Sequence, residues 1–291
     1  MSQLIITTLM QGMIYGILAI AVYLTYTILD IPDLSVEGTL PAGAFTLAVT
    51  LQWGWPPVLG ILAAFVVGSL AGLMTALLFI HLKINPLLAG ILTLTIMYSV
   101  NLRIGGSSNI SLYGLANLFG STVWINILIM VAIVLVIKLA LDWFFKTELG
   151  YLLLATGDNE ALVTSLGANK NHMKIIGLML SNGLAAVSGA LLAQNMKLAD
   201  ISMGTSVIVV GLASLIIGGT IMRGVAFLNG TTRAIIGALI YKMISGLAIY
   251  LGMAPNDLKA INGIIIILFI AYNNLQLGQR FNRYLKGVAK S

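Results

Sequence analysis

The sequence predicts an all-α protein, a polytopic bundle of about nine membrane-spanning helices, with eight to ten as the range. Two observations on composition predict it: 59% of the 291 residues are hydrophobic and only 8% are charged. Soluble domains usually carry about 25% charged residues, so these charges are too few to cover a water-soluble globule. The third observation is that the long apolar runs lack the alternation of a membrane β-barrel.

The predicted spans follow from length, because a spanning helix needs about 20 mostly apolar residues. Nine segments qualify, at 4–29, 34–52, 56–80, 86–103, 123–145, 173–195, 204–222, 232–252 and 260–275. The first lacks the basic start of a signal peptide and is too long for its apolar core, so we expect it to be retained. The second could be broken or re-entrant. No hydrophilic stretch is long enough for a soluble domain, so residues 1–291 are predicted to form one transmembrane domain.

Lysine and arginine residues predict the orientation, because cytoplasmic loops carry an excess of them. We place the polar segment 146–174 in the cytoplasm and let the spans alternate. The basic residues that then lie inside are Lys83, Lys146, Lys170, Lys174, Arg223, Arg233, Arg280, Arg283, Lys286 and Lys290. Only Arg103, Lys197 and Lys259 lie at the outer face. The C-terminus is therefore predicted in the cytoplasm and, with nine spans, the N-terminus outside.

The composition also argues against several kinds of site. The chain has no cysteine and two histidines, His81 and His172, so we expect no disulfide and no zinc or iron site. Its net charge of +6 comes from bases scattered between spans, which is typical of membrane topology rather than of a nucleic-acid surface. The sequence contains no G-x-x-x-x-G-K-[ST] run, so we expect no ATP site in this chain.

One polar segment, TGDNEALVTSLGANKNHMK at 156–174, interrupts the apolar sequence. Thr156 or Asp158 is predicted to cap a short helix there, with Asp158 and Glu160 favourable in its first turn and Gly167 as its stop. A helix of about nine residues would be marginal alone in water, so it needs a partner surface. One face is small or apolar, with Ala161, Leu162, Ser165 and Leu166. A plain connector and a docking element both fit this pattern.

Residues 146–194 resemble the cytoplasmic loop of ATP-binding-cassette (ABC) permeases of the branched-chain amino acid and ribose importer family. The residues in matching places are Gly150, Ala155, Gly157, Asn159, Glu160, Ala161, Gly167 and Asn169. Segments 29–49, 81–97 and 211–240 resemble the family in the same order along the chain. Within the family, the sequence is most similar to a bacterial subgroup associated with tryptophan or tyrosine uptake.

The resemblance implies a type II-like importer permease in the bacterial cytoplasmic membrane, a transport subunit and not an enzyme. Its coupling segment, about 156–170, would dock on a separate ABC ATPase that binds ATP and Mg²⁺, while this chain binds no cofactor. The coupling residues would be Gly157, Asp158, Asn159, Glu160, Ala161, Leu162, Ser165 and Gly167. A second permease copy, as a homodimer, and a substrate-binding protein would complete the importer of a small polar solute, an amino acid and in this subgroup an aromatic one.

Polar residues inside spans are costly in lipid and usually face a cavity or one another. Those predicted to lie on a translocation path or to gate it are Asp33, Glu37, Asn85, Thr93, Asn101 and Lys242. A neutralising Glu37–Lys242 pair is one hypothesis, and purely structural roles are another.

Other functions also remain open at the level of sequence. A sugar or nucleoside permease of the same family fits the same motifs. An ATP-independent secondary transporter or channel would need coupling-ion sites at broken helices in paired repeats, and no repeat is evident. A membrane enzyme would need clustered acids, histidines or cysteines within the spans, and the chain has no such cluster.

Overall fold

The computed structural model describes residues 2–120, 122–222, 225, 228–253, 263, 264, 267 and 271. In this part of the chain the helices are α1 (Ser2–Val22), α2 (Val36–Gln52), α3 (Pro57–Ile80), α4 (Pro86–Gly105), α5 (Val123–Phe144), α6 (Glu148–Asp158), α7 (Glu160–Ser165), α8 (Lys170–Met196), α9 (Val207–Ile221) and α10 (Gly230–Tyr250). A π-helix (Tyr23–Ile28) continues α1, and a 3₁₀ helix (Ile201–Gly204) precedes α9. The strands are β1 (Asn109–Ser111) and β2 (Leu198–Asp200).

The fold class is confirmed: the described residues form a membrane helix bundle. By length and composition, they contain seven helices long and apolar enough to cross a membrane. Helix α2 is not among these, because its 17 residues fall short of the roughly 20 that a span needs. Most of its side chains are buried. The predicted ninth span, 260–275, lies almost wholly outside the described residues, as do Arg223, Lys259 and the C-terminal bases.

Helix α8 is the centre of the bundle and packs against α1, α2 and α3. A Cβ atom on Gly68 or Gly72 of α3 would meet the backbone carbonyl of Asn182 or Leu178 on α8. Gly189 of α8 lies in the same way against the carbonyl oxygen of Leu40 on α2. Gly68 and Gly72 are four residues apart and lie on one face of α3. Because they have no side chains, the backbones of α3 and α8 can touch, as small residues allow between membrane helices.

A short sheet ties two distant loops together. Strand β1 pairs antiparallel with β2, with Ile110 opposite Ala199. The long link between α4 and α5 and the segment after α8 therefore lie at the same end of the bundle, as the alternation of predicted spans requires.

We predict that replacing Gly189 by alanine destabilises the protein, by about 1–3 kcal/mol, because the added methyl group must push α2 and α8 apart. The matched control is Gly219→Ala in α9, where a Cβ meets nothing within 4 Å. There the helix should gain up to about 1 kcal/mol from the loss of a glycine. Thermal unfolding of the two variants in one detergent checks this, and equal melting temperatures would contradict the close contact.

Candidate functional site

The polar segment forms two helices instead of the predicted one. Asn159 has extended backbone, ends α6 and begins α7, and its side chain accepts a hydrogen bond from the Leu162 N–H at 3.1 Å. The predicted caps, Thr156 and Asp158, instead lie in the last turn of α6, where the Thr156 hydroxyl donates to the Leu152 carbonyl. The predicted helix of about nine residues was therefore wrong in its start and length, because α7 has only 6 residues.

The end of α7 agrees better with the sequence. Gly167 follows the helix with a φ of +76°, a left-handed conformation that glycine adopts without strain. Its N–H donates to the Thr164 carbonyl at 3.0 Å and closes the turn toward α8.

Two lysines of α8 clamp the start of α7. Glu160 accepts hydrogen bonds from the ammonium groups of Lys170 at 2.7 Å and Lys174 at 2.6 Å. These bonds, from Lys170 first and Lys174 second, hold the pKa of Glu160 below its usual value of 4.5. Because 42% of the Glu160 side chain is exposed, solvent screening keeps the stabilisation modest. The clamp orients a helix too short to be stable alone.

The outer face of α7 has no partner within the described part of the chain. Val163 is fully buried and attaches the helix to the bundle, whereas Leu162 is 48% and Leu166 66% exposed. Ala161 and Ser165 are exposed on the same short helix. Leu162 and Leu166 therefore leave an apolar surface uncovered within a polar segment.

A close backbone contact joins α6 to the end of the first span. A Cβ atom on Gly157 would overlap the carbonyl oxygen of Ile28, the last residue of the π-helix. Gly177 of α8 lies similarly against the Leu29 side chain. The α6–α7 unit is therefore in direct contact with the point where the first span ends.

Beyond that point a buried polar network fixes the non-helical link, residues 29–35. The Asp33 carboxylate accepts hydrogen bonds from the Ser35 N–H (2.9 Å) and hydroxyl (2.5 Å) and from the side-chain amide of Asn182 (2.8 Å). The Asn182 carbonyl oxygen in turn accepts from Thr39 on α2 at 2.6 Å. All four side chains are buried. Asn182 thus ties the link and α2 to the middle of α8.

Helix α4 closes the other side of this network. A Cβ atom on Gly90 would meet the backbone nitrogen of Leu34 at 2.7 Å and the Asp33 carboxylate at 3.1 Å. Asn85 caps the start of the same helix, where its side chain accepts from the Leu87 N–H at 3.0 Å. The link is therefore held between α4 and α8 by direct contact.

A cavity of about 590 Å³ opens directly beyond the network, between α2, α4 and the 3₁₀ helix. Its polar lining includes Glu37 and Asn101. Pro41, one turn after Glu37, has no N–H to give to the Glu37 carbonyl, and Gly204 of the 3₁₀ helix packs against both residues.

Comparison with known proteins decides the family. Residues 4–271 match the family described as "Branched-chain amino acid transport system / permease component". The chain belongs to this permease family.

Three relatives illustrate the match. The permease is 44% identical over 273 residues to the "Tyrosine transport system permease protein" of Clostridioides difficile (strain R20291), covering 94% of this chain and 92% of the relative. It is 35% identical to an uncharacterized protein of Rickettsia prowazekii (strain Madrid E), covering 94% and 98%. The "Autoinducer 2 import system permease protein LsrC" of Salmonella paratyphi B (strain ATCC BAA-1250 / SPB7) is 27% identical, covering 88% and 76%. The predicted family is thereby confirmed.

The structure of the permease separates the polar residues that the sequence grouped as path or gate. Glu37 and Asn101 line the cavity, and Asp33 belongs to the buried network. Thr93 is buried and pairs with the Thr75 hydroxyl at 2.9 Å, which joins α4 to α3. Asn85 caps the start of α4.

The hypothetical Glu37–Lys242 pair is not among the ion pairs of the described residues. The Lys242 ammonium instead lies 3.6 Å from the centre of the Tyr15 ring, a cation–π contact between α10 and α1. The Glu37 carboxylate faces the backbone N–H groups of Ser206 and Ile208 at the start of α9, where the helix dipole favours negative charge. Each residue thus has a different partner.

We predict that Glu160→Gln increases hydrogen exchange in α7 at pH 7, because a neutral amide cannot hold both lysines. A lowered pKa means that the clamp stabilises the fold above the ordinary value of 4.5 and is lost as the pH falls through the lowered value. The difference between variant and wild type should therefore shrink in acid. Glu148→Gln, at an exposed glutamate in the first turn of α6, is the control. Equal exchange in all three proteins at pH 7 would show that the clamp does not hold α7.

We further predict that Asn182→Leu destabilises the permease by about 2–4 kcal/mol, since it leaves the buried Asp33 carboxyl group without one of its donors. Asp33→Asn in the same protein should restore part of the loss, because it removes a carboxyl group whose burial is costly without its donors. Unfolding midpoints of the single and double variants measure this coupling. Strictly additive effects would argue against a shared network.

Proposed function

We propose that the permease is the membrane subunit of a binding-protein-dependent ABC importer, which moves an amino acid by ATP-driven alternating access. One observation carries this: α7 and the residue that follows it present exposed Leu162 and Leu166, while Glu160 and Val163 fix the orientation of the helix. A rigid helix with an apolar outer face suits docking on a moving partner better than it suits a connector. Membership of the permease family supports the assignment.

In this proposal the partner is an ABC ATPase, which binds ATP and Mg²⁺ and receives α7 in a groove. Leu162 and Leu166 supply the apolar contact, with Ala161 and Ser165 small enough for close approach. Asn159 and Gly167 define the two ends of the helix, and Glu160 holds it to α8. Asp158 is exposed beside the helix start, where its charge would attract basic groups of the ATPase.

We propose that movement of α7 reaches the cavity through the first span. Gly157 transfers it to Ile28, where their backbones touch. The link 29–35 continues from there into α2, which carries Glu37 at the cavity. Because Asp33 and Asn182 hold the link to α8, the displacement should move α2 and α8 together instead of being absorbed in a flexible loop.

The other partners are proposed from the family and the charge distribution. A second copy of the permease forms a homodimer, and a substrate-binding protein docks on the face that carries Trp53 and Trp55, where the N-terminus also lies. The ring centres of Trp53 and Trp55 are 6.3 Å apart, and both side chains are exposed. The α6–α7 face and the C-terminus are cytoplasmic, and residues 1–291 act as one transmembrane domain in the bacterial inner membrane.

The docking role predicts that Leu162→Glu combined with Leu166→Glu weakens association with the ATPase by at least about tenfold, because buried anchors carry most of an interface's energy. Leu82→Glu is the matched control: it changes an exposed leucine between α3 and α4, which the proposed orientation puts at the same face. Co-purification and ATP-dependent uptake in proteoliposomes are the readouts. Full association of the double variant would overturn the docking assignment.

For the substrate, the name of the relative from Clostridioides difficile favours tyrosine. We expect the cognate binding protein to bind L-tyrosine, and proteoliposomes holding permease, ATPase and binding protein to accumulate it only with ATP. Sugar binding would move the permease to the sugar branch of the family. Uptake without ATP would instead favour a secondary transporter or channel.

A further inference from the structure

Asn101, one of the residues that line the cavity, has an unsatisfied side-chain acceptor. Its side-chain amide donates to the Gly38 carbonyl on α2 at 2.9 Å, which fixes the orientation of the group. The other atom, Oδ1, is buried and has no hydrogen-bond partner among the described residues, and the side chain is only 1% exposed. Buried polar atoms are rarely left unpaired, so an orphan acceptor in a cavity wall calls for an explanation.

Glu37 places a second acceptor in the same wall. Its carboxylate lies near the backbone N–H groups of Ser206 and Ile208 and takes part in no ion pair of the described residues. Lys242, the basic residue that the sequence offered as its partner, lies on Tyr15 instead. Two backbone N–H groups leave some of the four lone-pair sites of the carboxylate unused. The lining of the cavity therefore includes one glutamate and one asparagine with an unused acceptor, and no cationic side chain.

We infer that Glu37 and Asn101 form a recognition site for the ammonium group of the transported solute. An ammonium group has three donors and no acceptor, which is the complement of this pair. A volume of about 590 Å³ has room for an amino acid, since small-molecule sites usually span about 300–1,000 Å³. The inference rests on the proposed function and adds to it the chemical feature that the membrane subunit itself reads.

Because the sequence contains no cysteine, a single introduced cysteine can test the inference directly. Ser99→Cys places a thiol on the exposed lining of the cavity, where a small methanethiosulfonate reagent can reach it. In the permease–ATPase complex in lipid nanodiscs, L-tyrosine and tyramine should slow labelling. The deaminated analogue 3-(4-hydroxyphenyl)propionate should not, because it lacks the ammonium group. Equal protection by all three compounds would overturn the inference.

Variants locate the effect. Glu37→Gln keeps the shape and removes the charge, so protection should need at least about tenfold more L-tyrosine. Asn101→Leu should act in the same direction. Thr50→Val on α2 is the control, because the Thr50 hydroxyl bonds only to the Thr46 and Leu47 carbonyls of its own helix. If Glu37→Gln and Asn101→Leu proteins, still bound to the ATPase, are protected as well as the control, the site is not where we place it.

Uptake assays distinguish a failure of this inference from a failure of the proposed function. Wild-type proteoliposomes that accumulate no amino acid would overturn the proposed function itself. If L-tyrosine is accumulated but all three compounds protect the introduced thiol equally, only the assignment of the ammonium site is overturned. If the binding protein selects another amino acid, that amino acid, its decarboxylated amine and its deaminated acid replace the three probes, with the same expected order.

Discussion

The carboxylate of Asp33 is the constraint on which the arrangement of the bundle depends. A buried carboxyl group is tolerated only where hydrogen bonds replace its lost hydration, and Ser35 and Asn182 supply them. Because the Asn182 side chain comes from the middle of α8, the link after the first span must meet that helix at one place. Gly90 then lets α4 close over it. The position of α2, and with it the cavity, follows from these contacts.

The same link explains how a short helix at one face could act on a cavity within the bundle. Between α7 and Glu37 the backbone of Gly157 meets that of Ile28, and Asp33 is hydrogen-bonded to Asn182. Backbone-to-backbone contacts are stiff, because they have no rotamers to yield. The glycines at 68, 72 and 189 have a related effect around α8, which they keep in direct contact with its neighbours.

Much of the fold could be predicted from the sequence, since length and hydropathy alone determine which segments can span. The predicted ends of the described spans lie within about three residues of the observed helices. The division between α6 and α7 was missed because Thr156, Asp158 and Asn159 are all good caps, and only the tertiary structure selects Asn159. The ion pairs of Glu160 could have been predicted, because Lys170 and Lys174 are spaced i,i+4 and follow Glu160 closely in the sequence. Glu37 and Lys242 could not be assigned, because their partners lie on helices far away in sequence.

The central claim is that Gly157 passes movement of α7 to the cavity through Ile28. It is tested most directly by labelling Ser99→Cys in the permease–ATPase complex with and without ATP, in the native background and with Gly157→Ala. The account predicts that ATP changes the labelling rate in the native background and that Gly157→Ala removes most of this response while the ATPase stays bound. Gly219→Ala should leave the response intact. An ATP response of equal size in the Gly157→Ala protein would contradict the account.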